Sequence, residues 1–234
     1  FGSSGSGETT PPNNISFVSV DAGRTHVCGV DTSSQVHCWG NDSYGQSTVP
    51  SGYYSQVTAG FRATCATSPT RQLSCWGSSN YIDNVPSSDF VSIDQGYQAG
   101  CGVTDAGYVQ CWGQDSNGST AAPSGTFTAS SSGQDHGCAI ATDGTLECWG
   151  SNDHGQSTPP NGTYTAVSAG GDSTCALQTS GSLKCWGQSD SPNLGSFYPA
   201  YSSIHVGNGE TCGIDVLGAA QCWNTSGDPW DYAP

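Results

Sequence analysis

CAIATDGTLEC, residues 138–148, decides the fold. Pairing Cys138 with Cys148 sets Ile140 opposite Leu146 and Ala141 opposite Thr145, and leaves Thr142-Asp143-Gly144 as a three-residue loop. A hairpin of that length takes glycine at its left-handed third position, where Gly144 falls. Gly107, Gly181 and Gly218 hold the same place in other copies of the stretch, whereas Ser34 and Arg71 depart from it and require strain or another turn. Cysteines directly opposed on a non-hydrogen-bonded pair of an antiparallel ladder can be bridged without moving the backbone.

Working outward, the same spacing recurs along the chain. Each cysteine of a Cys-Trp dipeptide has another cysteine ten positions before it, giving Cys28/Cys38, Cys65/Cys75, Cys101/Cys111, Cys138/Cys148, Cys175/Cys185 and Cys212/Cys222. These pairs use all 12 cysteines. Between them lie connectors ending in an aromatic residue and an alternating strand, such as FVSVDAG (17–23) and YTAVSAG (164–170). The chain is therefore one supersecondary unit of ~37 residues written repeatedly. No helical period survives for ten residues, and 33 Gly with 12 Pro punctuate the sequence.

A unit of this size cannot bury both faces of its sheet alone, which points to radial repetition. The expected fold is all-β: a six-bladed β-propeller built from six repeats, each with an intra-repeat disulfide hairpin. The repeats are read as 1–38, 39–75, 76–111, 112–148, 149–185 and 186–222, one propeller over 1–222, with a tail over 223–234. FGSSGSGETTPPNN (1–14) aligns without gaps on WGSNDHGQSTPPNG (149–162), so six connectors accompany six hairpins. That arithmetic suits a closed ring in which the first connector serves the blade of the last hairpin. It also creates a conflict, since Phe1 and Trp223 claim one inter-blade slot. A terminal segment carrying Phe1, or Trp223 with Trp230 and Tyr232, is thereby expected to dock on an adjoining propeller.

AGRTHVCGV (22–30) with CWGNDSYGQS (38–47), and SGQDHGCAI (132–140) with CWGSNDHGQS (148–157), resemble repeats of the regulator of chromosome condensation family. The resemblance extends over nearly the whole chain and implies the propeller fold. The family's histidine is kept only as His26 and His136; Ala63, Ala99, Ser173 and Glu210 replace it. The better-known members close seven blades, against six counted here. Exchange factors, enzyme inhibitors and adhesion modules share the family fold, so the resemblance implies no single activity.

Charge narrows the choice. Four Lys plus Arg against 19 Asp plus Glu give a net charge of −15, which repels nucleic acid and anionic membranes. No apolar run is long enough for a membrane span, and no secretory signal is visible; a chain beginning at Phe1 reads as processed or excerpted. A full set of cysteines in hairpin register points to an oxidising, extracellular compartment, with reduced core cysteines as the rival reading. Zinc would need clustered ligands of the C-x-x-C type, which are absent. Five sequons, at Asn14, Asn41, Asn117, Asn161 and Asn224, fall outside the hairpins and agree with secretion.

The six repeated tryptophans are expected to pack between blades rather than to stack sugars, with Trp230 outside that period. His37, His154 and His205 share no repeat position and read as surface residues. No nucleophile elbow, phosphate-cradling loop or H-E-x-x-H is present, and no cofactor or metal is implied. The acidic residues are spread over loops, though two could meet at a ring mouth. The function expected is a non-catalytic extracellular structural or protein-interaction module, with protein partners that include copies of itself in a filament or tandem array. A lectin or a secreted inhibitor is the alternative. The lectin is disfavoured because the stretches after each tryptophan drift while Cys, Trp and Gly hold.

Overall fold

A computed structural model describes residues 5–188 and 200–224. It contains six three-stranded antiparallel sheets, each made of consecutive strands. They are β1 (Phe17–Ala22), β2 (His26–Asp31), β3 (Val36–Gly40); β4 (Gln56–Ala59), β5 (Ala63–Thr67), β6 (Leu73–Gly77); β7 (Phe90–Gln95), β8 (Ala99–Thr104), β9 (Val109–Gly113). The remaining three are β10 (Phe127–Ser132), β11 (His136–Ala141), β12 (Leu146–Gly150); β13 (Tyr164–Ala169), β14 (Ser173–Gln178), β15 (Leu183–Gly187); β16 (Tyr201–Val206), β17 (Glu210–Asp215), β18 (Ala220–Asn224). Each sheet is one propeller blade. The connector strand lies innermost, and the disulfide hairpin forms the middle and outer strands.

Cys138 pairs with Cys148 and Ile140 with Leu146, the register that follows from the spacing. All six bridges close within their own hairpins, as Cys28–Cys38, Cys65–Cys75, Cys101–Cys111, Cys138–Cys148, Cys175–Cys185 and Cys212–Cys222, with Cα separations of 4.0–4.1 Å. That short separation marks a non-hydrogen-bonded pair. The two turns that lack glycine do not use another geometry: Ser34 and Arg71 take φ of 62° and 68°, beside 86° for Gly144. In the first of these turns the Asp31 carboxylate accepts the Ser33 and Gln35 N–H groups, which offsets part of the strain.

The second cysteine of each pair is not where a blade ends. Boundaries drawn at Cys38, Cys75, Cys111, Cys148, Cys185 and Cys222 cut through β3, β6, β9, β12, β15 and β18, which run on to Gly40, Gly77, Gly113, Gly150, Gly187 and Asn224. A tail counted from Trp223 would begin inside β18. The reason is that the tryptophan after the cysteine stays in the ladder of its own blade, Trp39 opposite Val27 and Trp186 opposite Thr174. In five of the six bridges the two cysteines also differ in surroundings, which their equal spacing does not convey. Cys28, Cys65, Cys101, Cys138 and Cys175 are buried on middle strands, whereas Cys38, Cys75, Cys111, Cys148, Cys185 and Cys222 are half-buried. These lie on outer strands, which have a ladder partner on one side only.

The core lies between blades rather than inside them. Five apolar clusters fill five interfaces of one design, in which the hairpin of one blade receives the aromatic residue that opens the next. Val30 and Val36 meet Tyr54, and Val103 and Val109 meet Phe127. Leu73 meets Phe90, Ile140 meets Tyr164, and Leu177 meets Tyr201. The repeated tryptophan stands against its own blade's aromatic, as in Phe90–Trp112 and Tyr201–Trp223. Its indole N–H reaches the incoming connector, from Trp76 to the Gln46 carbonyl at 3.0 Å and from Trp149 to the Ser119 carbonyl at 2.8 Å.

At the innermost turn a glycine of each of the first five blades abuts the next blade. A Cβ on Gly23, Gly60, Gly96, Gly133 or Gly170 would collide with the carbonyl oxygen of the following glycine in that series. This close approach is the reason for glycine at this place in the first five repeats.

The sixth junction, from the last blade back to the first, differs from the other five among the described residues. Gly207 does not abut Gly23. Ile214 and Ala220 on the last blade are exposed, as are Val20 and Ala22 on the first, although their counterparts elsewhere are covered. Residues 5–16 form no strand and supply none to the last blade. Instead the Glu8 carbonyl accepts the Trp39 indole N–H at 2.7 Å, so this first connector serves the first blade, as Gln46 serves the second.

Candidate functional site

The innermost strands enclose an axial channel of about 530 Å3, lined by residues of all six blades. One repeat position, Asp21, Thr58, Asp94, Ser131, Ser168 and His205, supplies a polar side chain to it from every blade. The reason is an unmet need of the innermost strand, whose N–H groups have no further strand to bond. The Ala59 N–H donates to Asp21 at 2.7 Å, Gln95 to Thr58 at 2.8 Å, and Ser132 to Asp94 at 2.8 Å. Ala169 donates to Ser131 at 3.0 Å and Val206 to Ser168 at 2.9 Å. His205 would complete the series, but its Nε2 faces Asp21 Oδ1 across 3.9 Å at the sixth junction. It therefore shares a repeat position after all; the substitution of a ring for an oxygen acceptor hid it in the sequence.

Asp21 and Asp94 both line the channel. Burial pushes the Asp94 carboxyl up, Asp21 adds to the rise, and hydrogen bonds from Ser132 and Ser131 together with His205 oppose it. Both Asp94 oxygens accept bonds from neighbouring blades, one from Thr58 and the other from Ser131 and Ser132. Asp94 thus acts as a cross-blade acceptor. Among the described residues, no three His, Cys, Asp or Glu side chains converge as a metal-ligand set.

The two kept histidines are inter-blade staples. His26 Nε2 lies 2.7 Å from Thr64 Oγ1, whose single proton goes to the Gln46 carbonyl at 2.7 Å. The imidazole must therefore donate through Nε2. His136 repeats this with Thr174 at 2.8 Å and the Gln156 carbonyl at 3.2 Å. Burial lowers both imidazoles to about 4, so they are neutral near pH 7. Where Ala63 replaces histidine, the Gln95 side chain enters the space and accepts the Trp112 indole N–H at 2.8 Å.

The channel opens at the turn after each innermost strand, where Arg24, Phe61, Tyr97, Gln134, Gly171 and Asn208 follow the six glycines. Three of these form a compact group. Phe61 and Tyr97 stack with centroids 4.3 Å apart and planes within 12°. The Arg24 guanidinium sits beside the pair, 5.0 Å from the Phe61 centroid and 5.6 Å from that of Tyr97, and donates to the Tyr97 hydroxyl at 2.9 Å. Arg62 stands 4.5 Å from the same Phe61 ring and 4.3 Å from Tyr44. Neither arginine forms a salt bridge among the described residues, whereas Arg71 pairs with Asp105. Sequence reasoning by cysteine and tryptophan period missed this group; reading the residue after each repeat glycine would have found it.

Asn14, Asn117 and Asn161 are exposed, and Asn41 is half-buried, its side-chain oxygen accepting from Ser43 and Gln46. The Asn224 side chain, Phe1, Trp230 and Tyr232 lie outside the described residues. Trp223, grouped with the tail in sequence, is instead a core residue of the last blade, buried against Tyr201 in β18. Burial in that pocket removes it from the set able to meet a partner. His37 bonds the Asp31 carboxylate at 2.9 Å, and His154 is exposed.

The regulator of chromosome condensation (RCC1) repeat matches the chain at residues 17–46, 128–156 and 164–191, and in those three stretches the chain is similar to it. Two of the three stretches are those that keep the histidine. No curated protein matches it by sequence. Among solved structures, the entire ectodomain of the receptor kinase CR4 from Physcomitrella patens superposes with a TM-score of 0.80 at 28% identity, covering 92% of this chain and 63% of its own. The chain thus spans less than two thirds of that ectodomain. The CRINKLY WD40 ectodomain of the Arabidopsis thaliana receptor kinase ACR4 gives 0.77 at 26% identity, with 94% and 83% covered. Yeast RCC1 gives 0.78 at 16%, with 92% and 71% covered, a likeness of fold.

Proposed function

We propose that this RCC1-repeat propeller is a non-catalytic extracellular interaction module that docks a protein partner at the mouth of its axial channel. Six buried or half-buried disulfides and two receptor-kinase ectodomains among its structural relatives support the compartment. N-glycans at the exposed Asn14, Asn117 and Asn161 belong to the same reading. The observation that carries the docking site is the Arg24–Phe61–Tyr97–Arg62 group: aromatic and arginine side chains are the residues that anchor protein interfaces. An otherwise acidic chain that places two of its four basic residues there has a distinct patch to offer.

Fluorescent full-length protein applied to cell surfaces from its own source tests the proposal. Staining is expected to be sensitive to protease, insensitive to glycosidases and lost in an Arg24→Ala/Arg62→Ala variant. Absence of staining, or staining that the variant retains, overturns the docking site; staining abolished by glycosidases alone establishes the lectin instead.

Association with copies of itself is a second reading, favoured by the apolar side chains exposed at the sixth junction among the described residues. Val18, Val20, Ile214, Val216 and Leu217 expose apolar surface on its two blades. Sedimentation velocity across a concentration series tests it, and a monomer throughout overturns it.

A further inference from the structure

The channel mouth carries two positive charges on one ring. The Arg24 and Arg62 guanidinium carbons each lie within 5.0 Å of the Phe61 centroid, and among the described residues neither meets a carboxylate. Like charges on one aromatic ring repel, and no acidic residue among those described relieves them. Both side chains are nevertheless ordered, Arg24 by the Tyr97 hydroxyl and the stack, Arg62 between Tyr44 and Phe61. Among the described residues their remaining N–H donors meet no protein acceptor. Such a fork is shaped for carboxylates, and the aromatic surface around it for a flat apolar group. Beneath the mouth the channel changes sign at Asp21 and Asp94, so an acidic ligand is held at the rim and turned away from the axis.

We infer that the mouth recognises a segment of a partner protein carrying two carboxylate side chains next to an aromatic one, the carboxylates engaging Arg24 and Arg62 and the aromatic ring lying on the Phe61–Tyr97–Tyr44 surface. This rests on the docking site proposed above and adds the chemistry of its occupant. Nucleic acid is excluded as that occupant by the net charge of −15, which opposes a polyanion over the rest of the surface. A short acidic segment meets only the local field.

Selection of a random peptide library on the immobilised, disulfide-intact full chain is the test, followed by affinity measurement on the peptides recovered. The expected result is enrichment of two Asp or Glu residues within a few positions of Phe, Tyr or Trp. Binding should weaken at least tenfold in Arg24→Gln and in Arg62→Gln, and more in the pair, with unchanged circular dichroism showing an intact fold. Arg24→Lys should fall between, because it keeps the charge and loses the planar fork. Affinity should also fall with added salt. Recovery of basic or charge-free peptides, no enrichment, or indifference to both arginines overturns the inference, as does stronger binding of a sulfated oligosaccharide to the same site. If cell staining depends on the arginines while acidic peptides are not selected, the docking site stands and only its proposed occupant fails.

Discussion

Ile214 stands in the sixth blade where Ile140 stands in the fourth, yet Ile140 is 3% exposed and Ile214 is 44% exposed. Each follows its hairpin's first cysteine by two positions and points away from the preceding blade. The difference is the neighbour: Ile140 receives Tyr164 of the next blade, and Ile214 receives no such aromatic among the described residues. Truncation should reveal this directly. Ile140→Ala should cost about 2–4 kcal/mol through lost burial and a residual cavity, and Ile214→Ala less than ~1 kcal/mol. Urea titration of the two variants checks it; equal losses would mean that the sixth junction is as well packed as the others.

The turns provide a second contrast. Ser34 occupies the left-handed position that glycine holds in four other hairpins, at φ 62°. Ser34→Gly should therefore raise stability by up to ~1 kcal/mol, and Gly144→Ala should lower it by about as much. Thermal unfolding measures both, and a destabilising Ser34→Gly would show that the Asp31 side-chain bonds fully compensate the strain.

Much of this was legible in the sequence because the repeat fixes what the repeat needs. Cysteine register, the glycine of four of the six hairpin turns and the aromatic opening each inner strand all serve packing inside a unit or between like units, so they recur at 36–37 residues. Blade limits were less legible, because a period has no intrinsic starting point and Cys38, Cys75, Cys185 and Cys222 mark a phase of the repeat rather than the end of a strand. The docking group was not legible by that route, since Arg24, Phe61 and Tyr97 hold one repeat position with different side chains. Nor was the role of Asp94, which a buried acceptor position assigns and composition does not. The looser sixth junction escaped for another reason: repeat counting gives the number of blades but not whether each glycine-to-carbonyl approach is made, and among the described residues Gly207 makes none.

Acid should loosen the blades through His26 and His136. Their folded-state values of about 4 lie below the unfolded value of 6.5, so between these limits the unfolded chain binds more protons. The stability they contribute is complete above pH 6.5 and is lost as pH falls toward 4, by on the order of 3 kcal/mol each at most. Asp94 works the other way: its raised carboxyl binds a proton in the folded state first, which favours folding at acid pH and offsets part of the loss. The net expectation is an unfolding free energy that declines from pH 6.5 to 4. His26→Gln/His136→Gln should start lower and decline less steeply, and parallel slopes would remove the histidines from the account.

The last prediction separates the staple from the bulk of the interface it crosses. Thr64 Oγ1 accepts from His26 of the first blade and donates to the Gln46 carbonyl, which also accepts the Trp76 indole N–H. Thr64→Val keeps the shape of the side chain and removes both bonds at once, leaving a buried imidazole N–H without an acceptor. One buried unpaired donor costs about 1–3 kcal/mol, so a loss in that range is expected although no apolar contact is removed. Replacing the donor as well should recover part of it: in His26→Leu/Thr64→Val neither polar group remains to be satisfied, and the double variant should be more stable than the sum of the single losses implies. A double-mutant cycle by chemical denaturation measures that coupling, with additivity as the result that would deny the staple any energetic role. Thr174→Val at the His136 junction should behave alike, because the same three groups meet there at 2.8 and 3.2 Å, whereas Thr211→Val should cost less, its counterpart on the preceding blade being Ser173 rather than histidine.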